Sequence, residues 1–133
     1  MKSTVDDTGL LIAYVPDVVV RSDSVVFGAL PWQLAGRAPI ATAGLGVTYV
    51  GPRALPFGQR SDTILTLDGS ASLAWQRYKL GVKASNLLDT QYRLGEYNFR
   101  SDFHSQSEPT LTVARHFTAG SPRTVLFQAE VTL

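Results

Sequence analysis

From Ile64 to Gln76 the chain alternates: Leu65, Leu67, Gly69, Ala71, Leu73 and Trp75 share one parity, and Thr66, Asp68, Ser70, Ser72 and Gln76 share the other, interrupted by Ala74. A repeat of two places each set on its own face of an extended strand. The next segment repeats the arrangement, with Tyr78, Leu80, Val82 and Ala84 against Lys79, Gly81, Lys83 and Ser85. Only Gln76 and Arg77 lie between, which predicts a tight hairpin. A further strand over Ile40 to Val50 sets Ala43, Leu45, Val47 and Tyr49 against Thr42, Gly44, Gly46 and Thr48. Another, Val125 to Leu133, sets Val125, Phe127, Ala129, Val131 and Leu133 against Gln128, Glu130 and Thr132. A strand over Asp17 to Phe27 is rich in β-branched residues, but Arg21 and Asp23 share the parity of Val19, Val25 and Phe27, so its faces stay unassigned.

Glycine (11 residues) and proline (7) break the chain at short intervals, as turns between strands do. The expected fold is all-β, an antiparallel up-and-down meander of about five to six strands that forms part of a transmembrane β-barrel. Imperfect alternation from Thr110 to Thr118 predicts a short extra hairpin inside the last long connection. Connection lengths are unequal, as in outer-membrane barrels with short turns at one rim and long loops at the other. On that pattern the Gln76-Arg77 and Gly28-to-Pro39 links are periplasmic, and Val5 to Pro16, Gly51 to Thr63 and Arg93 to Pro122 are extracellular loops. Trp32 and Trp75 then fall near one interface, and Tyr14, Tyr49 and Phe57 near the other.

A composition of 44% hydrophobic and 17% charged residues excludes a disordered polyelectrolyte. The net charge of +1 is scattered, which provides no basic stripe for nucleic acid. With no cysteine there is no disulfide framework and no thiolate metal site. Apolar runs such as Leu10 to Val15 fall far short of the roughly 20 residues of a spanning helix. The start, Met1 to Asp7, carries two acids where an export signal has its apolar core. Alternation by itself equally fits a soluble antiparallel β-sandwich, a binding or adhesion module. The polar faces here are mostly Ser, Thr, Gly and Gln, as in a wet lumen, where a sandwich exterior carries Lys, Glu and Arg.

The stretch Tyr78 to Tyr92, YKLGVKASNLLDTQY, resembles the penultimate strand of TonB-dependent outer-membrane receptors, with Asn86, Leu87, Asp89 and Tyr92 matching that family's Asn-Leu-aromatic-Asp-x-x-Tyr signature. Leu88 stands where the family more often has Phe. Gly120 to Thr124 is similar to the family's Pro-Gly-x-Pro-Arg stretch, and Val125 to Leu133 takes the place of its last strand, ending in Leu133 where Phe or Trp is usual. Thr63 to Ser72 is similar to the strand before the signature. The resemblance implies that residues 1–133 are a carboxy-terminal segment of a larger receptor barrel of about 22 strands. It implies an outer-membrane location, energy-coupled uptake of a siderophore, vitamin or similar solute, and a plug domain and TonB box, neither of which is found in these residues. The implied partners are outer-membrane lipid, the remainder of the barrel and its plug, a TonB-type coupling protein acting through the parent protein, and a small solute. Asn86 breaks the strand's parity, which predicts a bulge or kink that lets its amide find partners away from lipid.

Extracellular loops of such a receptor bind its cargo, which makes Arg53, Gln59, Arg60 and Asp62 in one loop, and Arg100, Asp102 and His104 in the other, candidate ligand contacts. His104 and His116 lie about twelve apart with no third ligand at a recognisable spacing, so no zinc template is met. There is no Gly-x-Ser-x-Gly elbow, no placed carboxylate pair and no glycine-rich phosphate loop, hence no expected enzymatic activity or cofactor.

Overall fold

The computed structural model describes residues 12–102 and 111–133, and period-two alternation there becomes nine strands. They are β1 (Val19–Ala29), β2 (Ile40–Val50), β3 (Ala54–Leu55), β4 (Gln59–Arg60), β5 (Ile64–Trp75), β6 (Tyr78–Ser85), β7 (Arg93–Asp102), β8 (Leu111–Ala119) and β9 (Thr124–Val131). Five of them form one open antiparallel sheet in the order β1-β2-β5-β6-β9, so each strand pairs with the next sheet strand along the chain. The expected up-and-down meander is present. Two compact units divide the described residues: 20–48, 65–90 and 121–133 hold most of the five-stranded sheet, and 12–19, 49–64, 91–102 and 111–120 hold the hairpins β3-β4 and β7-β8.

Turn chemistry sets the register. Trp75 pairs with Tyr78 around Gln76-Arg77, and Gln76 takes φ +54°, the left-handed backbone that a two-residue hairpin turn demands. The longer β1-β2 link is tightened by a turn at Ala35 (φ +49°) and Gly36 (φ +75°), closed by reciprocal backbone bonds between Leu34 and Arg37 of 3.0 and 3.2 Å. Trp75 Nε1 donates to Leu34 O at 2.9 Å, fastening that turn to the sheet.

The pairing sorts side chains by kind. Across β5, β6 and β9, Ala71 faces Val82 and Val82 faces Phe127; Leu73 faces Leu80 and Leu80 faces Ala129. On the opposite face Ser70 pairs with Lys83, Ser72 with Gly81 and Lys79 with Glu130. On β2 the polar-face glycines allow close approach: a Cβ at Gly44 would lie 2.7 Å from Ser70 Oγ, and one at Gly46 2.8 Å from Asp23 Oδ1 and 3.7 Å from Asp68 Cβ. These contacts also assign β1, whose faces the sequence leaves open. Asp23 and Val25 stand beside Gly46 and Gly44 on the polar face, Arg21 joins Asp23 there in an ion pair at 2.8 Å, and alternation leaves Val20, Ser22, Ser24 and Val26 on the apolar one.

One expectation needs correction in extent. The connection from Arg93 to Pro122, expected as a long loop with one short hairpin, holds a longer one: β7 and β8 pair antiparallel from Arg93↔Ala119 to Asp102↔Leu111. The hairpin expected within Thr110 to Thr118 is one arm of that longer one, Thr110 itself lying outside the described residues. The alternation is weak because Tyr97 and Phe99 share a face with Gly95 and Ser101, opposite Glu96, Asn98 and Arg100, and because a register shift between Arg93 and Gly95 breaks the parity at Leu94. At Asn86, where the sequence predicts a bulge or kink, the backbone does turn, with φ +51° just past the end of β6.

Both faces of the five-stranded sheet are largely uncovered. Phe127 is 82% exposed and Leu80 61%, and Leu45, Val47, Leu73, Val125 and Val131 of the same face are exposed too, whereas Gly46 of the polar face is buried. Among the described residues the buried large aliphatics are Leu55 and Ile64 alone, and both lie in the hairpin unit. The sheet therefore has no apolar core of its own. About 25 cal/mol per Å² of apolar area is not gained until something else covers that face.

Candidate functional site

Three places carry the chemistry: the uncovered apolar face, the turn that follows β6, and a polar cluster in the hairpin unit. The apolar face follows from alternation. Val26, Ala43, Ala71, Val82 and Phe127 lie along one row of a groove whose lining also includes Leu73 and Leu80. At one end of β5 and β6 the rings of Trp75 and Tyr78 stack, with centroids 6.4 Å apart. The opposite face is lined by Thr42, Ser70, Ser72, Lys79, Lys83, Gln128 and Glu130.

Past β6 the four matched signature positions all make specific bonds. Asn86, 3% exposed, donates from Nδ2 to Thr90 O at 2.9 Å and to Ser121 O at 3.1 Å, and its Oδ1 accepts from Thr90 N at 3.0 Å. Its backbone N–H donates to Asp68 Oδ1 at 3.0 Å. One amide side chain thus joins the end of β6 to the start of β9, and asparagine tolerates the left-handed backbone needed there. Leu87 N donates to Leu67 O at 2.7 Å, and its Cδ1 sits 3.1 Å from where a Gly69 Cβ would be. Asp89, at φ +52°, donates from its N–H to Asn86 O and lies 3.6 Å from Arg123 Nη2. Tyr92, in the hairpin unit, accepts from Gly120 N at 2.8 Å through its carbonyl. Its ring lies where a Gly120 side chain would go. Gly120→Ala is therefore expected to displace the ring and weaken the β7-β8 hairpin by about 1–3 kcal/mol. Amide exchange at the hairpin measures this, and a second change, Tyr92→Ala, is expected to restore most of the loss.

In the hairpin unit Glu96 is 2% exposed. A carboxylate there is tolerable only when partnered. Arg93 Nη1 approaches its Oε1 at 3.8 Å, Arg115 Nη1 its Oε2 at 3.6 Å, and Asp62 N–H its Oε1 at 3.5 Å. Further bonds fan out from the same residues: Arg93 to Asp62 Oδ2 at 3.1 Å, Arg115 Nη2 to Arg60 O at 3.0 Å and Asn98 Nδ2 to Pro56 O at 3.4 Å. Arg93 also lies over the Phe117 ring at 4.8 Å.

The candidate contacts fall in and around this cluster. Arg53 donates from Nη2 to Leu94 O at 2.9 Å, Arg60 pairs with Asp17 at 3.2 Å, and Asp62 pairs with Arg93. Those three charges hold segment 51–63 against β7-β8 and residue 17. Gln59 and Arg100 are exposed, Asp102 is exposed at the end of β7, and His104 lies outside the described residues. Glu96, Asn98, Arg93 and Arg115 were not singled out by the sequence. Their signal is the register Asn98↔Arg115 and Glu96↔Phe117, which appears only once β7 and β8 are paired. On the other face of this hairpin His116 stacks on Phe99 at 3.9 Å and shares a 2.8 Å hydrogen bond with Ser101, while Tyr97 packs on Tyr14 at 5.6 Å.

Arg115→Met leaves the buried carboxylate with weaker partners and is expected to cost the hairpin about 2–3 kcal/mol, less than the loss of a sole partner because Arg93 remains. Glu96→Gln removes the buried charge at nearly constant shape and is expected to cost about 1 kcal/mol. Amide exchange of β7 and β8 in the two variants ranks them, and an equal effect would mean that the carboxylate's charge is unimportant. Comparison with known protein families, curated proteins and solved structures returns no match to this chain.

Proposed function

We propose that this chain is part of the wall of an outer-membrane β-barrel, the carboxy-terminal portion of a TonB-dependent receptor, and that it supplies barrel strands and extracellular loops for energy-coupled uptake of a siderophore, vitamin or similar solute. The observation that carries the reading is the sorting of β2, β5, β6 and most of β9 into one uncovered aliphatic and aromatic face and one face of small and polar groups, interrupted on the polar face by Leu126 of β9 and by Val25 and Phe27 of β1. Water disfavours that exposure, whereas lipid on one side and a wet lumen on the other favour it.

Dimensions support it. Continuing the β2-β5 register given by Gly44 beside Ser70 and Gly46 beside Asp68, the row of Trp75 and Tyr78 reaches Pro39 on β2, ten residues before Tyr49. Ten residues of strand span about 33 Å, or roughly 25 Å along a barrel axis at the usual tilt, the height of a barrel's apolar band between its aromatic girdles. Connections support it as well: the β1-β2 and β5-β6 links leave one rim, and the links holding β3-β4 and β7-β8 leave the other. The order of strands also agrees with the signature's place before a last strand, since β6 pairs with β9.

The loops' part in solute binding rests on the family resemblance and on the organised polar cluster around Glu96. Partners in this reading are lipid, the rest of the barrel with its plug, and a TonB-type protein acting through the parent.

Co-sedimentation of the refolded chain with phosphatidylethanolamine–phosphatidylglycerol vesicles, followed by a carbonate wash, tests the reading. Retention in the pellet, with loss of protease cleavage within β2, β5 and β6, is expected. A chain that stays in the supernatant as a folded monomer contradicts it and favours the soluble sandwich.

A further inference from the structure

At the Trp75 end of the sheet, Arg37 lies in the turn that closes the β1-β2 link and Arg77 is the second residue of the β5-β6 turn. Both line one cleft of about 550 Å3, together with Gln76, Thr132 and Leu133. Backbone and indole bonds bring these segments together: Thr132 N donates to Arg77 O at 2.8 Å, and the Trp75 indole, on the apolar face, holds the turn that carries Arg37 through Leu34 O. Among the described residues no acidic side chain lines the cleft. Elsewhere Arg21, Arg60, Arg93, Arg115 and Arg123 each stand in an ion pair of between 2.8 and 3.6 Å. Within the described residues the side chains of Arg37 and Arg77 have neither an ion-pair nor a hydrogen-bond partner, the Leu133 carboxylate included. Two guanidiniums that face one cleft repel each other, and an anion held between them turns that repulsion into attraction.

We propose that Arg37 and Arg77 bind the phosphate of an anionic phospholipid at this rim, with the Gln76 amide and the Thr132 hydroxyl as further donors. The inference rests on the membrane reading above and adds to it a headgroup class, which an apolar face alone does not select. Level and chemistry support it. The stacked rings of Trp75 and Tyr78 belong at the boundary between hydrocarbon and headgroups, and the turn between them carries Arg77 just beyond that boundary. A guanidinium takes two phosphate oxygens at once, in a planar fork that an ammonium lacks. The ammonium of phosphatidylethanolamine offsets its own phosphate, so an anionic lipid is favoured over it. Lys79, the next cation along the chain, faces Glu130 on the polar face and adds little to the field at the cleft.

The chain's two tryptophans, Trp32 in the β1-β2 link and Trp75, both stand at this rim, so their fluorescence reports which lipid lies beside it. The full chain is refolded into phosphatidylethanolamine–phosphatidylglycerol vesicles in which one lipid at a time carries bromine, a quencher, on its acyl chains. Phosphatidylglycerol is expected to be enriched roughly tenfold beside the tryptophans over its share of the bilayer, about what two basic residues at a membrane surface supply. Arg37→Gln with Arg77→Gln is expected to abolish the enrichment and still enter the vesicles, since neither side chain holds another part of the fold. Lys79→Gln removes the same unit charge as either single change and is expected to leave the enrichment in place. No enrichment in the parent chain, or enrichment that survives the double change, would overturn the site while leaving the membrane reading intact. Loss of the enrichment on adding millimolar inorganic phosphate at constant ionic strength would assign the cleft to free phosphate and overturn the lipid assignment. A chain that stays in water as a folded monomer would overturn both.

Discussion

Phe127→Arg is expected to cost membrane assembly about 2–4 kcal/mol, while Gln128→Arg one residue away is expected to cost less than about 1 kcal/mol. Both side chains are exposed on the same edge strand, so local packing does not distinguish them. Their faces do. Phe127 lies in the row of Val82, Ala71 and Ala43, near the middle of the band between the Trp75-Tyr78 row and Tyr49. An arginine there enters hydrocarbon, whereas one at Gln128 enters the face of Gly81 and Ser72. In water the ordering disappears: replacing a phenylalanine that is 82% exposed changes stability within about 0.5 kcal/mol and improves solubility. Leu80→Arg, one row nearer the Trp75 end, is expected to show a smaller version of the Phe127 effect. Urea titration of vesicle-bound chain gives the comparison, and equal midpoints for the Phe127 and Gln128 variants would count against a lipid face.

Asn86→Ala is expected to destabilise the sheet by about 3–4 kcal/mol: three side-chain hydrogen bonds at about 1 kcal/mol each and about 1 kcal/mol for an alanine forced to positive φ. Asn86→Gly relieves the backbone and keeps the loss of the bonds, for about 2–3 kcal/mol. Asn86→Asp retains the acceptor for Thr90 N and loses both donors, to Thr90 O and Ser121 O. Aspartate, which aims a buried carboxylate at the Thr90 and Ser121 carbonyl oxygens, is expected to do at least as much damage as alanine, and glycine the least, in denaturant titration. If glycine alone matched the parent chain, the turn's geometry would matter and the amide bonds would not.

That asparagine illustrates what the sequence made legible. A resemblance named Asn86, Leu87, Asp89 and Tyr92 as a group, and alternation placed Asn86 on the wrong parity for lipid, but neither revealed Ser121, 35 residues from Asn86, or Gly120, on the far strand of the hairpin from Tyr92, as partners. Strands β2, β5, β6 and β9 were readable because their faces differ in polarity, a local property. The faces of β1 were not, because Arg21 and Asp23 neutralise each other on the same side as Val25. Hairpin β7-β8 went unread as a pair because the bonds that place it are long-range and polar, such as Arg93 to Asp62 and Arg115 to the Arg60 carbonyl. The candidate loop residues were partly legible by charge: Arg53, Arg60 and Asp62 do gather near the hairpin, but as ties within the loops. Glu96, which anchors them, looked in sequence like any acid in a mixed segment.

Membership of a membrane wall requires that one face of the sheet, and not the other, meets lipid. A nitroxide placed in turn at each position from Thr124 to Val131 of the vesicle-bound full chain reads this out through its collisions with oxygen, which concentrates in lipid, and with a water-soluble nickel chelate. Val125, Phe127, Ala129 and Val131 should favour oxygen while Thr124, Leu126, Gln128 and Glu130 favour the chelate, a repeat of two along the strand. Uniform access of the chelate at all eight positions would mean that β9 stands in water and that the sheet is not part of a membrane wall.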